Sequence, residues 1–250
     1  MEPLGEDPRQ NTPGDLRHWE RIAPGVARRR LPLWDATAGA VAGDDGVLMI
    51  DTGSSLREGA ALRGEARALF GPPVTRIALT HPHFDHVFGA AAFSGAQVYG
   101  AVGIDELLAR CADSLHADAV RHGLPAYEAG EAADVLVRPH HLVSGELTVP
   151  LGGREVVLAN VGPGHTGHDL VVLVPGTPDV VFCGDLVEES GTPQAGPDAQ
   201  RARWPAALDR VLALGGERAV YVPGHGALVD AAYVRAQRDE LAQRFTEGGV

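Results

Sequence analysis

Apolar residues follow two rhythms along this chain. Short runs at residues 26–34, 38–42 and 47–50, interrupted by Arg28-Arg29-Arg30 and by the turn Gly43-Asp-Asp-Gly46, predict antiparallel strands joined by hairpins. The period then changes. Leu56, Leu62, Ala66 and Leu69 recur at helical spacing, Ser54 or Ser55 offers a cap and Gly71-Pro72-Pro73 a stop, so residues 54–70 read as a helix. A strand at 74–80, a short helix at 87–93, a strand at 97–99 and a longer helix within 103–122 continue the alternation. Residues 123–131 are polar and punctuated by Gly and Pro, which predicts a flexible cover or an insertion. The second half repeats the style, with strands at 146–149, 155–161, 170–174, 180–183 and 219–222 and helices at 203–214 and 230–245. Two successive β-then-α halves predict an α/β (α+β) chain in which two sheets pack together with helices outside, a four-layer αββα sandwich.

Residues 1–17, rich in Pro, Gly and charge without periodicity, read as a flexible N-terminal tail, leaving 18–250 as a single domain. No window approaches the roughly 18 uninterrupted apolar residues that a membrane-spanning helix needs, and the first residues lack the apolar stretch of an export signal. The expectation is a cytoplasmic protein without a membrane partner. The net charge is −12, and all 21 basic residues are Arg. So acidic a surface repels phosphate backbones and argues against a nucleic-acid partner, and the absence of Lys excludes Schiff-base chemistry. Cys111 and Cys183 alone cannot build a thiolate metal site, so any ion must be held by His and carboxylate. Cys183, on an apolar strand, is assigned to the core.

The chemistry concentrates in Thr80-His81-Pro82-His83-Phe84-Asp85-His86, directly after an apolar strand. Pro82 biases His81 toward an extended backbone, and in an extended chain residues two apart project to one side. His81 and His83 can therefore grip one ion. Asp85 and His86 fall where the next helix begins, turned toward a neighbouring position, so a second ion is geometrically natural. Three further candidates each follow a strand and are framed by Gly: His165 in Gly162-Pro-Gly-His-Thr166, Asp185 in Cys183-Gly-Asp185, and His225 in Pro223-Gly-His-Gly226. Strand ends that all deliver His or Asp predict one shared edge of the sandwich. His18, His116, His122, His140, His141 and His168 are expected at the surface or in packing, with His168 closest to the site's rim.

In these seven positions, and in the early Asp51-Thr52-Gly53, the chain resembles the metallo-β-lactamase superfamily, from about Trp19 to the last helix. The resemblance implies the metallo-β-lactamase fold and a site in which His81, His83 and His165 hold one metal and Asp85, His86 and His225 another. Asp185 would bridge both, and Asp51 would support ligands from behind. It implies two Zn²⁺, with Fe or Mn as alternatives, since imidazole and carboxylate suit all three. A metal-bound hydroxide would then act as nucleophile, with Asp85 orienting it or relaying its proton and Asp185 coupling the two ions. The activity so implied is hydrolysis of a small-molecule ester, thioester or lactone. An iron-dependent persulfide dioxygenase on the same scaffold is the competing reading. True β-lactamase activity is a weaker one, because those enzymes carry Cys, or no acid, where this chain has Asp185. Trp34-Asp35 and residues 123–131 and 188–200 are the expected pocket walls; a homo-oligomer stays open.

Overall fold

The computed structural model describes residues 16–247. Most of the expected tail, residues 1–15, thus lies outside the described residues; a short 3-10 turn, Leu16–His18, leads into the first strand.

The first sheet is built from β1 (Trp19–Ala23), β2 (Val26–Arg30), β3 (Thr37–Gly43), β4 (Gly46–Ile50), β5 (Val74–Ala78), β6 (Gln97–Ala101) and β7 (His141–Val143), in that spatial order. The first three pairings are antiparallel and the last three parallel. Between β4 and β7 the chain runs through α1 (Leu56–Phe70), α2 (Phe84–Val87), α3 (Ile104–Leu108), α4 (Ala112–Arg121) and α5 (Ala126–Asp134). The second sheet contains β8 (Glu146–Pro150), β9 (Glu155–Ala159), β10 (Val171–Val174), β11 (Val180–Glu188) and β12 (Val220–His225), in the order β12-β11-β10-β9-β8. Two helices, α6 (Trp204–Gly215) and α7 (Ala231–Glu247), complete it.

Three apolar clusters define the layers. Val41, Leu48, Ile50 and Ala78 of the first sheet meet Leu158, Val172, Phe182 and Val222 of the second. Leu62 and Ala66 of α1, with Leu115, Ala119, Ala129 and Ala132 of α4 and α5, cover the outside of the first sheet. Trp204, Leu208 and Val211 of α6, with Val234 and Leu241 of α7, cover the second. The result is the expected αββα sandwich. Phe182 fills the space between sheets opposite Gly39, where any Cβ would run into its ring. Fully burying such a side chain contributes about 1.5–3 kcal/mol. On β11 every residue is buried, because the strand lies in the interior of the sheet under α6. The capping prediction holds for α1: Ser55 accepts the Glu58 N–H at 3.2 Å and Gly71, at φ 93°, ends the helix.

Several boundaries differ from the periodicity, for identifiable reasons. The apolar run at 26–34 stops as a strand at Arg30, and Trp34 and Asp35 turn the chain with φ of 57° and 59°. The helix placed at 87–93 begins at Phe84, with His83 as its cap, so two metal-type residues sit in its first turn. The helix within 103–122 is broken into α3 and α4. The segment 123–131, expected to be a flexible cover or an insertion, instead runs into α5, whose Ala129 and Ala132 are buried where it packs on α4 and α1. Small alanines carry that contact, which the polar neighbours masked.

Candidate metal centre

All seven candidate residues converge. Strand β5 delivers His81 to one end of the sandwich, and the turn through Pro82 into α2 presents His83, Asp85 and His86 beside it. His165 comes from the loop between β9 and β10. There the buried carboxyl of Asp169 accepts the Gly164 N–H at 2.8 Å, the Thr166 N–H at 3.1 Å and the Thr166 hydroxyl at 2.7 Å. Asp185 lies within β11 and His225 ends β12. Gly224 is required beside them, since a Cβ there would overlap Asp185 Oδ1.

Two groups of potential ligand atoms form, each with its atoms within 4.8 Å of one another: His81, His83, His165 and Asp185, and Asp85, His86 and His225. Asp185 lies between them. Its Oδ2 is 3.6 Å from His81 Nε2, 3.5 Å from His165 Nε2 and 3.2 Å from His225 Nε2, while Oδ1 is 3.2 Å from His86 Nε2. Asp85 Oδ2 stands 3.5 Å from His86 Nε2 and 3.4 Å from His225 Nε2.

The outward ring nitrogen of every histidine meets an acceptor. His81 Nδ1 faces the Thr80 hydroxyl at 3.0 Å and His86 Nδ1 faces Asp51 at 2.8 Å. His165 Nδ1 reaches the Gln194 carbonyl at 3.1 Å, His225 Nδ1 the Trp34 carbonyl at 2.7 Å, and His83 Nε2 faces Asp198 at 3.0 Å. Such partners fix the neutral tautomer whose lone pair points inward. His83 and His165 thus bring two lone pairs within 3.0 Å of each other. His81 Nε2, His86 Nε2 and Asp185 Oδ1 are buried without a hydrogen-bond partner. Buried acceptors that converge this closely are costly unless a cation sits among them, so the donor set fits divalent metal ions. Asp51 serves the supporting role expected of it: at φ 59° it also accepts from the Thr80 N–H at 2.8 Å and the Thr80 hydroxyl at 2.7 Å.

Electrostatics agree with this fit. Burial lowers His165 to about 4, and burial together with His86 holds His81 well below the usual histidine value, so both offer lone pairs at neutral pH. For His86 burial opposes protonation, but the carboxylates of Asp185, Asp85 and Asp51 raise it well above the usual value. His225, likewise opposed by burial, is raised by Asp185 to about 9. Burial also works against ionisation of Asp185, yet His225, His86 and His81 keep it well below the usual carboxylate range. The carboxylate side of the centre therefore demands positive charge, which a bound cation supplies directly.

The site opens into a cleft of about 810 Å³. Trp34 and the loop from Glu188 to Asp198 line it, as expected for two of the three proposed walls. The third expectation fails: residues 123–131 do not line the cleft, because α5 packs behind α4 and against α1. Its place is taken by α3 and α4, through Leu107, Cys111, Ser114, Leu115, Asp118, Arg121 and His122. Spacing of three and four puts the α4 residues on one helix face, a signal present in the sequence but left unused. His122, expected to be a surface or packing residue, lines the cleft and stacks on Phe84 with ring centroids 5.8 Å apart; Trp34 meets the same Phe84 edge-on at 5.1 Å. His168 turns away, bonding the Val102 carbonyl at 3.0 Å, and does not line the cleft. Cys183 is buried in the core, where burial pushes its thiol far up. Glu188, missed at first, is a buried carboxyl facing the cleft, raised by burial and by Asp185 to about 8.

The family model described as the metallo-beta-lactamase superfamily matches residues 31–225, and the chain belongs to that superfamily. All seven converging residues fall inside the match. A "Metallo-beta-lactamase type 2" from Bacteroides fragilis is 33% identical over 90 residues, which is 35% of this chain and 36% of that protein. "Metallo-beta-lactamase domain-containing protein 1" from Xenopus laevis is 35% identical over 120 residues, 47% of this chain and 40% of the other. The matches thus span well under half of either relative. Among solved structures, a metallo-beta-lactamase from Pontibacter korlensis superposes with a TM-score of 0.72 at 22% identity, covering 90% of this chain and 98% of the other. TMB-1 does so with 0.69 at 20% identity, covering 91% and 97%. These likenesses establish the fold. Among the described residues no helix is long and apolar enough to cross a membrane.

Proposed function

We propose that this protein is a dinuclear metal-dependent hydrolase that cleaves an ester, thioester or lactone of a small molecule. The reading is carried by the arrangement of two ligand groups around Asp185, one of three imidazoles and one of two imidazoles and Asp85. His81, His83 and His165 would hold one ion, Asp85, His86 and His225 the other, with Asp185 shared; zinc suits the set, and iron or manganese can replace it. Bound there, such ions lower the pKa of water toward neutrality and polarise an acyl carbonyl.

The chain supplies the rest. Phe84, Leu107 and Leu115 give an apolar wall for the acyl or alcohol portion of the substrate. Asp85 directs Oδ2 at His86 and His225, which leaves Oδ1 to accept the proton of the attacking water. The water oxygen bonds to the acyl carbon, the C–O or C–S bond breaks, and that proton goes to the leaving group. Asp185 keeps both ligand groups in register. Beyond the ligand groups, the cleft offers Asp118 and Asp198, with Glu188 raised to about 8 and so largely uncharged at neutral pH, against Arg121, which is itself ion-paired to Asp118. This balance supports uncharged acyl substrates, acting as a cytoplasmic small-molecule enzyme with no nucleic-acid partner.

Screening the zinc-loaded protein against neutral aryl esters, thioesters and lactones tests the reading. Turnover that disappears with a chelator, returns on adding zinc, and falls at least about a hundredfold in Asp185→Ala is expected. Full turnover in the chelated protein, or in Asp185→Ala, would refute it.

A further inference from the structure

The outward ring nitrogens of the two ligand groups lean on different parts of the molecule, apart from His81, which rests on Thr80 at the first sheet. On one side, His86 rests on Asp51 and His225 on the carbonyl of Trp34, both next to strands of the first sheet. Ala36 adds a bridge between the backbone of that region and His225. On the other side, the outward nitrogens of His165 and His83 end on Gln194 and Asp198. Both acceptors belong to the loop that leaves β11 and forms one wall of the cleft.

Near its start that loop is held by the buried side chain of Glu188 and by Arg244. Glu188 Oε1 accepts the Gln194 N–H at 2.8 Å, while the carbonyl of the same peptide, that of Pro193, accepts from Arg244 Nη1 at 2.9 Å. Glu188 is itself fixed from α7, since its N–H donates to Gln237 Oε1 at 3.1 Å and its carbonyl accepts the Tyr233 hydroxyl at 2.9 Å. It is 5% exposed and pairs with no cation among the described residues. A buried carboxyl without a cationic partner is expensive, which calls for a role beyond closing a turn.

We propose that Glu188 is a positioning residue for the three-histidine group, acting through Gln194 on His165. The cleft loop thereby acts on the ring orientation at one metal position, whereas it meets the other only through the backbone, where the Glu189 N–H donates to the His225 carbonyl at 2.8 Å. The inference rests on the dinuclear reading above and adds to it an asymmetry: the three-histidine position is coupled to the side chains of the loop after β11, and the Asp85 position to Asp51 and the Trp34 backbone. Supporting partners of this kind typically govern metal affinity by ten- to a hundredfold. Asp198 acts on His83 from the same loop, so it gives a second, surface-exposed handle on the same coupling.

Titration of the metal-free protein with Co²⁺, followed by visible absorption, separates the positions when each is left alone. In a His86→Ala background the three-histidine position dominates; in a His81→Ala background the Asp85 position does. Glu188→Ala is expected to weaken Co²⁺ binding about tenfold or more in the first background and less than about threefold in the second. Glu188→Gln, which keeps an acceptor oxygen for the Gln194 N–H, is expected to restore the first. Asp198→Ala should repeat the pattern without disturbing any buried residue. An unchanged affinity in the first background, or equal losses in both, overturns the proposal while leaving the dinuclear reading standing. Failure of the unaltered protein to take up two Co²⁺ overturns both.

Discussion

Asp169 links the fold to the site, and its replacement has a calculable pH signature. The carboxyl is 3% exposed and accepts from Gly164 and Thr166, which flank His165. Burial, outweighing those hydrogen bonds, raises it from 3.8 to about 7. A carboxyl raised on folding binds more protons in the folded chain than in the unfolded one between those two values. Its contribution therefore weakens as pH climbs through that window and is spent above about pH 7. The swing is about 4 kcal/mol from pH 4 to pH 8. Asp169→Asn keeps one acceptor oxygen and cannot ionise. It is expected to be less stable than the unaltered protein at pH 5, where a mispaired buried amide costs about 1–3 kcal/mol, and to close or reverse that gap by pH 8. Urea unfolding of both metal-free proteins at pH 5, 6, 7 and 8 reads the difference, in which contributions from other titrating groups cancel. A gap independent of pH would show that Asp169 stays ionised throughout, its hydrogen bonds outweighing its burial, and would refute the reasoning.

Gly224→Ala should displace the Asp185 carboxylate and press on the β11 backbone at Gly184 and Asp185, so metal uptake should fall below two ions per chain and urea unfolding should shift to lower denaturant; full uptake at unchanged stability would contradict the packing described. Glu65 joins Arg29 and the Trp19 indole N–H in a buried cluster on the far side of the first sheet. Glu65→Ala strands a buried guanidinium and should cost about 3–5 kcal/mol in urea unfolding, with metal content preserved in the folded fraction. A loss under about 1 kcal/mol would mean that water reaches Arg29. His122→Ala removes the ring stacked on Phe84 and should raise KM for aryl esters several-fold with kcat little changed, whereas a fall in kcat alone would place His122 in the chemistry rather than in the wall.

How much of this was readable in the sequence depends on distance along the chain. His81, His83, Asp85 and His86 are local, and their spacing after an apolar strand sufficed to join them. His165 and His225 were recoverable because Gly frames a strand end, whereas Asp185, expected just past a strand ending at 183, lies inside β11, which runs on to Glu188. The supporting acceptors were less accessible. Asp51 could be flagged through resemblance, but His225 leans on a backbone carbonyl 191 residues away and His165 on another 29 residues away. A carbonyl leaves no residue-type signature. Likewise α5 was hidden because its buried face is alanine, and α4 took over the wall assigned to residues 123–131 because a helix face is visible only once the break between α3 and α4 is known.

The centre itself is tested most directly by elemental analysis of protein purified without chelators or added metal, expressed as ions per chain. Two divalent ions per chain, zinc or manganese or iron, falling to one or fewer in Asp185→Ala, is the result predicted by the shared carboxylate. A single iron per chain, unchanged in Asp185→Ala, would contradict it and move the protein toward oxygen chemistry at one metal.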